Sequence, residues 1–284
     1  MPYQLLLDAM SAPRISSYRS IFKTQNTTET FGAYSWGQAI NATLQPFICT
    51  CEVALRNAIH KSLSLQASSA IAGGPFVSFP WYDYKQGWRT LQGETYEKVE
   101  KILCDRSSIR KAIQPAPDMV VADLSLGIWP NILVQQLNRT EEVKTFEDVF
   151  PHHPKLATRH WRFEVNRKEA VERCRDLQRL RNRISHCGPV WSSGWLQTQP
   201  VRHWTRVIDN LKSRHASLLE MLSWISASTA TVHALSFASD WFTQLCSEDA
   251  VIAFMTDPIK AGKILPIPLA MPEVRAIYMN LART

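Results

Sequence analysis

An all-α fold is predicted by two features of this sequence. Apolar residues recur at three- and four-residue spacing over long stretches, and the apolar/polar alternation of half-buried strands is almost absent. From Phe31 to Leu65 the repeat runs through Leu44, Phe47, Ile48, Cys51, Val53, Leu55, Ile59 and Leu63, with Pro46 expected to kink or split the helix. Residues 67–92, with a Gly-Gly pair and several aromatics, read as a long irregular connection. Residues 94–113 read as a second helix ended by Pro115-Ala116-Pro117. Residues 119–137 predict a broken helix pair around Gly127-Ile128-Trp129, and Pro151-His-His-Pro154 a loop. A long amphipathic helix starts at Lys155 or Arg167 and runs to Ser185. Gly188-Pro189 stops it, with Gly188 suited to the left-handed position after the helix. Further helices are expected over 201–226, 230–245 and 247–256, followed by a proline-broken tail over the surface.

The 284 residues suffice for one large domain or two modest ones, with 45% apolar and 20% charged residues in the globular range. No run approaches the roughly 18 apolar residues of a membrane span, and the N-terminal stretch lacks the basic flank of a signal peptide. Six scattered cysteines argue for reduced thiols and a cytoplasmic location. A formal charge of +7 makes a polyanionic partner plausible, and the excess concentrates between Lys155 and Arg183. The bland reading of that stretch is a solvated helix face.

Glycine-rich phosphate loops, the His-Glu-x-x-His zinc motif and the nucleophile elbow are all missing. Cys49 and Cys51 lack metal-ligand spacing and read as core residues, and His152-His153 has no patterned co-ligands, so no metal and no cofactor is expected.

One stretch stands out, Leu180-Arg-Asn-Arg-Ile-Ser-His186, at the polar end of the long helix just before its stop. Asn182 and His186 are four apart, about 40° around a helix, and share a face. Arg181 and His186 are five apart, about 140°, and converge only through arginine's length or an irregular helix end. Arginine, amide and imidazole together suit RNA cleavage without metal. An imidazole takes or gives a proton near neutral pH, a guanidinium clamps the phosphate, and an amide orients the imidazole. The alternative is a helix C-terminus decorated with cations that complement its dipole.

A second stretch narrows the choice. Tyr34-Ser-Trp36-Gly37, running on to Glu52-x-x-x-Arg56-Asn57-Ala, resembles the opening of the Abi-like abortive-infection proteins of the HEPN superfamily. Gly127-Ile128-Trp129, Val149-Phe150-Pro151 and the Arg-Asn-Arg-Ile-Ser-His stretch follow in the family's order, so the resemblance covers roughly residues 30 to 225. It implies a HEPN-type helical bundle with extra helices and long irregular connections: an N-terminal extension (1–30), an Abi-like domain (31–226) and a C-terminal helical extension (227–284). It also implies a metal-independent endoribonuclease, a toxin in abortive-infection phage defence, with Arg181, Asn182 and His186 catalytic. Glu52, Arg56 and Asn57 would support the active helix, with Glu52 and Arg56 as a possible salt bridge. Implied partners are RNA, a second copy completing a composite site, and an antitoxin protein or small-RNA silencer, with no membrane.

Two departures stand out. The family's Asn after the tryptophan is Gly37 here, and the tyrosine that some family toxins carry two residues after the histidine is Gly188. Arg56-Asn57-Ala-Ile-His60 imitates the motif but is one residue too short. Arg173, Arg175, Arg179 and Arg183 give the basic helix a use as a phosphate-tracking surface. Trp129, Trp161, Trp191, Trp195 and Trp204 are either core or platforms for unpaired bases. Two other functions fit the same residues: a non-catalytic RNA-binding module in which His186 only caps its helix, and a phage-sensing protein-interaction effector.

Overall fold

A computed structural model describes residues 2–191 and 203–264, and every described regular element is helical. The α-helices, in chain order, are α1 Pro2–Asp8, α2 Ala12–Phe22, α3 Thr27–Ile71, α4 Gly93–Leu103, α5 Pro117–Asp123, α6 Ile128–Gln135 and α7 Arg139–Val149. They continue with α8 Glu164–Ser185, α9 Trp204–Ile225, α10 Ala227–Ala234, α11 Phe237–Leu245, α12 Glu248–Thr256 and α13 Pro258–Ile264. No described helix is long and apolar enough to cross a membrane. The proline-broken tail, Trp195 and the expected start at residue 201 lie outside the described residues.

The chain divides into two compact units. One takes the described residues of Met1–Cys49, Arg179–Ser217 and Thr231–Thr284, the other Thr50–Gln178 and Leu218–Ala230.

The expected apolar stripe of α3 is buried at Leu44, Phe47, Ile48, Cys51, Leu55, Ile59 and Leu63, whereas Val53 is exposed. Pro46 does not split the helix, which is continuous through it. Proline removes one N–H, so the Ala42 carbonyl four residues back loses its helical donor. Both residues are exposed, where water replaces that donor. Cys51 is buried and Cys49 exposed, so only one of that pair is core. Burial pushes the thiols of Cys174 and Cys246 up to about 12, consistent with inert core residues.

In the first unit the core is aromatic. Trp191 sits 5.0 Å from Tyr18 and 5.4 Å from Phe22, and Phe22 lies edge-on to Trp36. The Trp36 indole donates to the Leu245 carbonyl at 2.7 Å, so its one polar atom is satisfied inside the core. Gly32 lets α3 approach α12 closely, since a Cβ there would lie 2.1 Å from the Phe254 carbonyl oxygen. Gly37, where the resemblance calls for asparagine, faces the Tyr18 hydroxyl at 2.7 Å from where a Cβ would stand. The tyrosine occupies the space of the missing side chain.

In the second unit Phe146, Phe150 and Trp161 pack within 5.3–5.9 Å of one another, and Trp129 is fully buried. The helix expected over 94–113 ends at Leu103 instead. Asp105 accepts from the backbone N–H of Ser107 and Ile109, and Arg110 turns back to Glu100 and Asp83. That Asx turn and the ion pairs of Arg110 outweigh local helix propensity. Helix α7 opens on a capping box between Asn138 and Glu141. Helix α8 begins at Glu164, after two short 3-10 turns, and Arg167 bonds Glu142 and the Trp161 carbonyl.

Candidate functional site

The C-terminal end of α8 forms the site. Its apolar stripe, Leu177, Leu180 and Ile184, is buried, which turns the intervening polar residues outward. The helix stops in a Schellman arrangement: the Gly188 N–H donates to the Arg183 carbonyl at 2.7 Å and the Cys187 N–H to the Ile184 carbonyl at 2.9 Å. His186 is therefore the last helical cap, and the left-handed residue is Cys187, with φ of 50°, rather than Gly188. The six-to-one and five-to-two bonds fix that register.

Side chains from three other helices of the same unit hold the chain that follows. Arg14 of α2 donates to the His186 carbonyl at 3.0 Å, Asn41 of α3 to the Gly188 carbonyl at 3.3 Å, and Arg214 of α9 to the Val190 carbonyl. Trp191 then enters the aromatic core. The His186 carbonyl at the helix end and the Gly188 and Val190 carbonyls beyond it thus accept from long-range donors, and His186 is carried on a braced backbone with its side chain exposed.

An open cleft of about 690 Å³ lies here, lined by Arg179, Asn182, Arg183 and His186 from α8, by Gly188 and Pro189, and by Pro13, Arg14 and Ser17 from α2. The four α8 residues stand at i, i+3, i+4 and i+7, one stripe of a helix. Asn182 and His186 come together as their spacing predicts. Arg181 does not line the cleft; five residues from His186, it points about 140° away. Among the described lining residues there is no carboxylate and no aromatic side chain, so the cleft is cationic and suited to an anion. The same donor set, arginines around one imidazole, is unsuited to a divalent cation, and no described cluster of His, Cys, Asp and Glu could hold a metal.

Glu52, Arg56, Asn57, Arg173 and Arg175 belong to the second unit. Arg56 donates to the Ala122 carbonyl at 3.3 Å, Glu52 is half-buried and Asn57 exposed. Arg173 does not offer its charge to solvent. It bonds Glu220 and Glu169, and its guanidinium stacks 4.4 Å over Trp224. Arg175 pairs with Glu172 one turn away. Trp129, Trp161 and Trp191 are buried and hence core, and Trp204 is half-buried.

His60, from the shortened imitation of the motif, is buried 3.3 Å from Asp118 and 3.5 Å from Ser78, which suggests a hydrolytic triad. The Trp81 indole N–H donates to its Nδ1 at 2.9 Å. That bond puts the proton on Nε2, the nitrogen facing both Ser78 and Asp118, and an N–H cannot take the proton of Ser78. The Ser78 hydroxyl moreover donates to Asp118. The cluster braces residues 78–81 and has no free base.

Sequence reasoning missed Arg14 and Ser17. Ser11-Ala-Pro13 is a helix start, and Ile15, Tyr18 and Phe22 form a buried stripe that leaves Arg14 and Ser17 on another face. Those signals predict α2; they do not reveal what its outer face meets. Compared with known protein families, curated proteins and solved structures, the chain matches none.

Proposed function

We propose that this protein is an endoribonuclease of HEPN type that cuts RNA at the α8 cleft and acts as the toxin of an abortive-infection response. One observation carries the chemistry: an exposed histidine shares a cleft with an asparagine and three arginines, without a carboxylate among the described lining residues. The ordered motifs from Tyr34 to His186 support the family and the defence role.

In the proposed reaction the ribose 2′-oxygen attacks phosphorus as its proton passes to an imidazole, and the bond to the 5′-oxygen breaks. The leaving oxygen takes a proton, giving a 2′,3′-cyclic phosphate and a 5′-hydroxyl. Within one chain His186 supplies one proton-transfer group, Arg179 and Arg183 stabilise the charged phosphoryl oxygens, and Asn182, one turn before His186, orients the imidazole. A second copy completes the composite site with its Arg181, which makes the working form a homodimer, and the leaving oxygen draws its proton from water. An RNA cut of this kind halts growth, so an antitoxin protein or a small RNA holds the enzyme silent until infection.

The test is expression of wild type beside His186→Ala and Arg183→Ala, with total RNA end-mapped in EDTA. Cyclic-phosphate ends that both variants lose support the reading; cleavage that survives His186→Ala removes the assignment. The position of Arg181 outside the cleft favours a second reading, a non-catalytic RNA-binding module. It expects RNA affinity with intact ends, unaffected by His186→Ala and weakened by Arg183→Ala.

A further inference from the structure

Helix α2 contributes more than packing to this site. We infer that Arg14 is a phosphate ligand of the cleft, so that the RNA backbone is gripped between Arg14 on α2 and Arg183 on α8. The inference rests on the cleft reading above and adds a second, sequence-distant wall to it.

Both guanidiniums line one cleft with no carboxylate between them among its described lining residues, and neither forms an ion pair among the described residues. Like charges brought together this way are held apart at a cost that an anion relieves. Arg14 donates one N–H to the His186 carbonyl and keeps the rest of a five-donor fork for a ligand. The same bond ties the fork to the backbone of His186, so a phosphate held by Arg14 is registered against the imidazole. Ser17, one turn further along α2, lines the same wall, with its hydroxyl donating to the Pro13 carbonyl at 3.2 Å. The competing account is a strut: Arg14 only caps the negative end of α8. A strut and a ligand differ in what an added phosphate sees.

The experiment uses a fluorescent 2′-O-methyl oligouridylate, which keeps the phosphates and cannot be cut. Affinity is measured across a series of KCl concentrations for wild type, Arg14→Lys, Arg14→Gln and Arg183→Gln, with a thermal midpoint for each. The expected result is that Arg14→Gln binds roughly five- to tenfold more weakly and lowers the slope of log affinity against log salt by about one, as Arg183→Gln does. Arg14→Lys stays close to wild type. A wild-type slope in Arg14→Gln beside a reduced one in Arg183→Gln overturns the role of Arg14 and leaves the cleft reading standing. Equal losses of midpoint and affinity in the Lys and Gln variants reduce Arg14 to a strut and also overturn it. No salt-dependent affinity in the wild type overturns the RNA cleft itself.

Discussion

The Nε2 atoms of His215 and His233 lie 3.4 Å apart, with the Phe47 ring 4.7 Å from His215 and 4.2 Å from His233, and Phe242 stacked on His215. Two imidazoles that close can share one proton in a hydrogen bond, and once both are charged neither nitrogen can accept. Burial, then the charge of His233, depresses His215 to about 4, and burial lowers His233 as well. In the second unit His153 stacks on His160 at 4.2 Å and is also depressed to about 4, by burial and then by His160.

Acid should therefore unfold this protein early. A histidine near 6.5 when unfolded and about 4 when folded leaves the unfolded state holding more protons between those values. Stability is fully present above about pH 6.5, declines as pH falls towards 4, and levels off below. Urea midpoints measured from pH 8 to pH 4 should follow that course, and His215→Phe should flatten it. A midpoint unchanged down to pH 5 would count against neutral burial of these rings.

Cys187 holds the left-handed position after α8, at φ of 50°. A side chain there clashes with the following carbonyl, and glycine does not. Cys187→Gly should raise stability by about 0.5–1 kcal/mol, since relief of the clash exceeds glycine's added unfolded entropy. Cys187→Val, branched at Cβ, should lower it. Chemical denaturation of the three proteins decides the order, and a less stable glycine variant would place the strain elsewhere.

Position 37 separates this chain from the pattern it resembles. An added Cβ would stand 2.7 Å from the Tyr18 hydroxyl and 2.9 Å from its ring, and that ring is wedged against Trp191. Gly37→Asn should cost about 1–3 kcal/mol through overpacking. Gly32→Ala should cost more, because the atom it meets is the Phe254 carbonyl oxygen, part of a helix backbone that cannot swing aside. Thermal midpoints rank the two, and a harmless Gly32→Ala would mean that α3 and α12 pack less closely than described.

The helices were legible wherever burial follows a single period. The stripe from Leu44 to Leu63 on α3, Val53 excepted, and Val207, Ile208, Leu211, Leu218 and Leu222 of the expected α9 face are buried as their spacing dictates, while Trp204 and Leu219 of that face are half-buried. The capping box of Asn138 and Glu141 announces α7 in the sequence, though the run it opens is too polar for periodicity to find. Residues 104–113 show the opposite case, where Arg110 reaches partners ten and twenty-seven residues away that no local window contains. In the site, Asn182 and His186 were legible because helix geometry alone places them together. Arg14 was not, because its place depends on how α2 packs. The burial of Arg173 against Trp224 likewise turns on a residue fifty-one positions downstream.

Arg181 lies outside the cleft that holds His186. If its guanidinium acts in cleavage from outside its own chain's cleft, it acts on the cleft of a second copy. Arg181→Ala and His186→Ala should then each lose cleavage while retaining one intact half. In a twofold dimer each composite site takes Arg181 from one copy and His186 from the other. A mixed dimer of the two variants contains one site with both groups and one with neither. Co-refolding the inactive variants in equal amounts should therefore restore about a quarter of wild-type cleavage, since half of the dimers are mixed and each holds one site of two. Activity that never returns on mixing places both groups in one chain or shows that the variants do not exchange; a subunit-exchange control with two fluorophores separates these. Full activity in Arg181→Ala alone assigns the clamp to Arg14, Arg179 and Arg183.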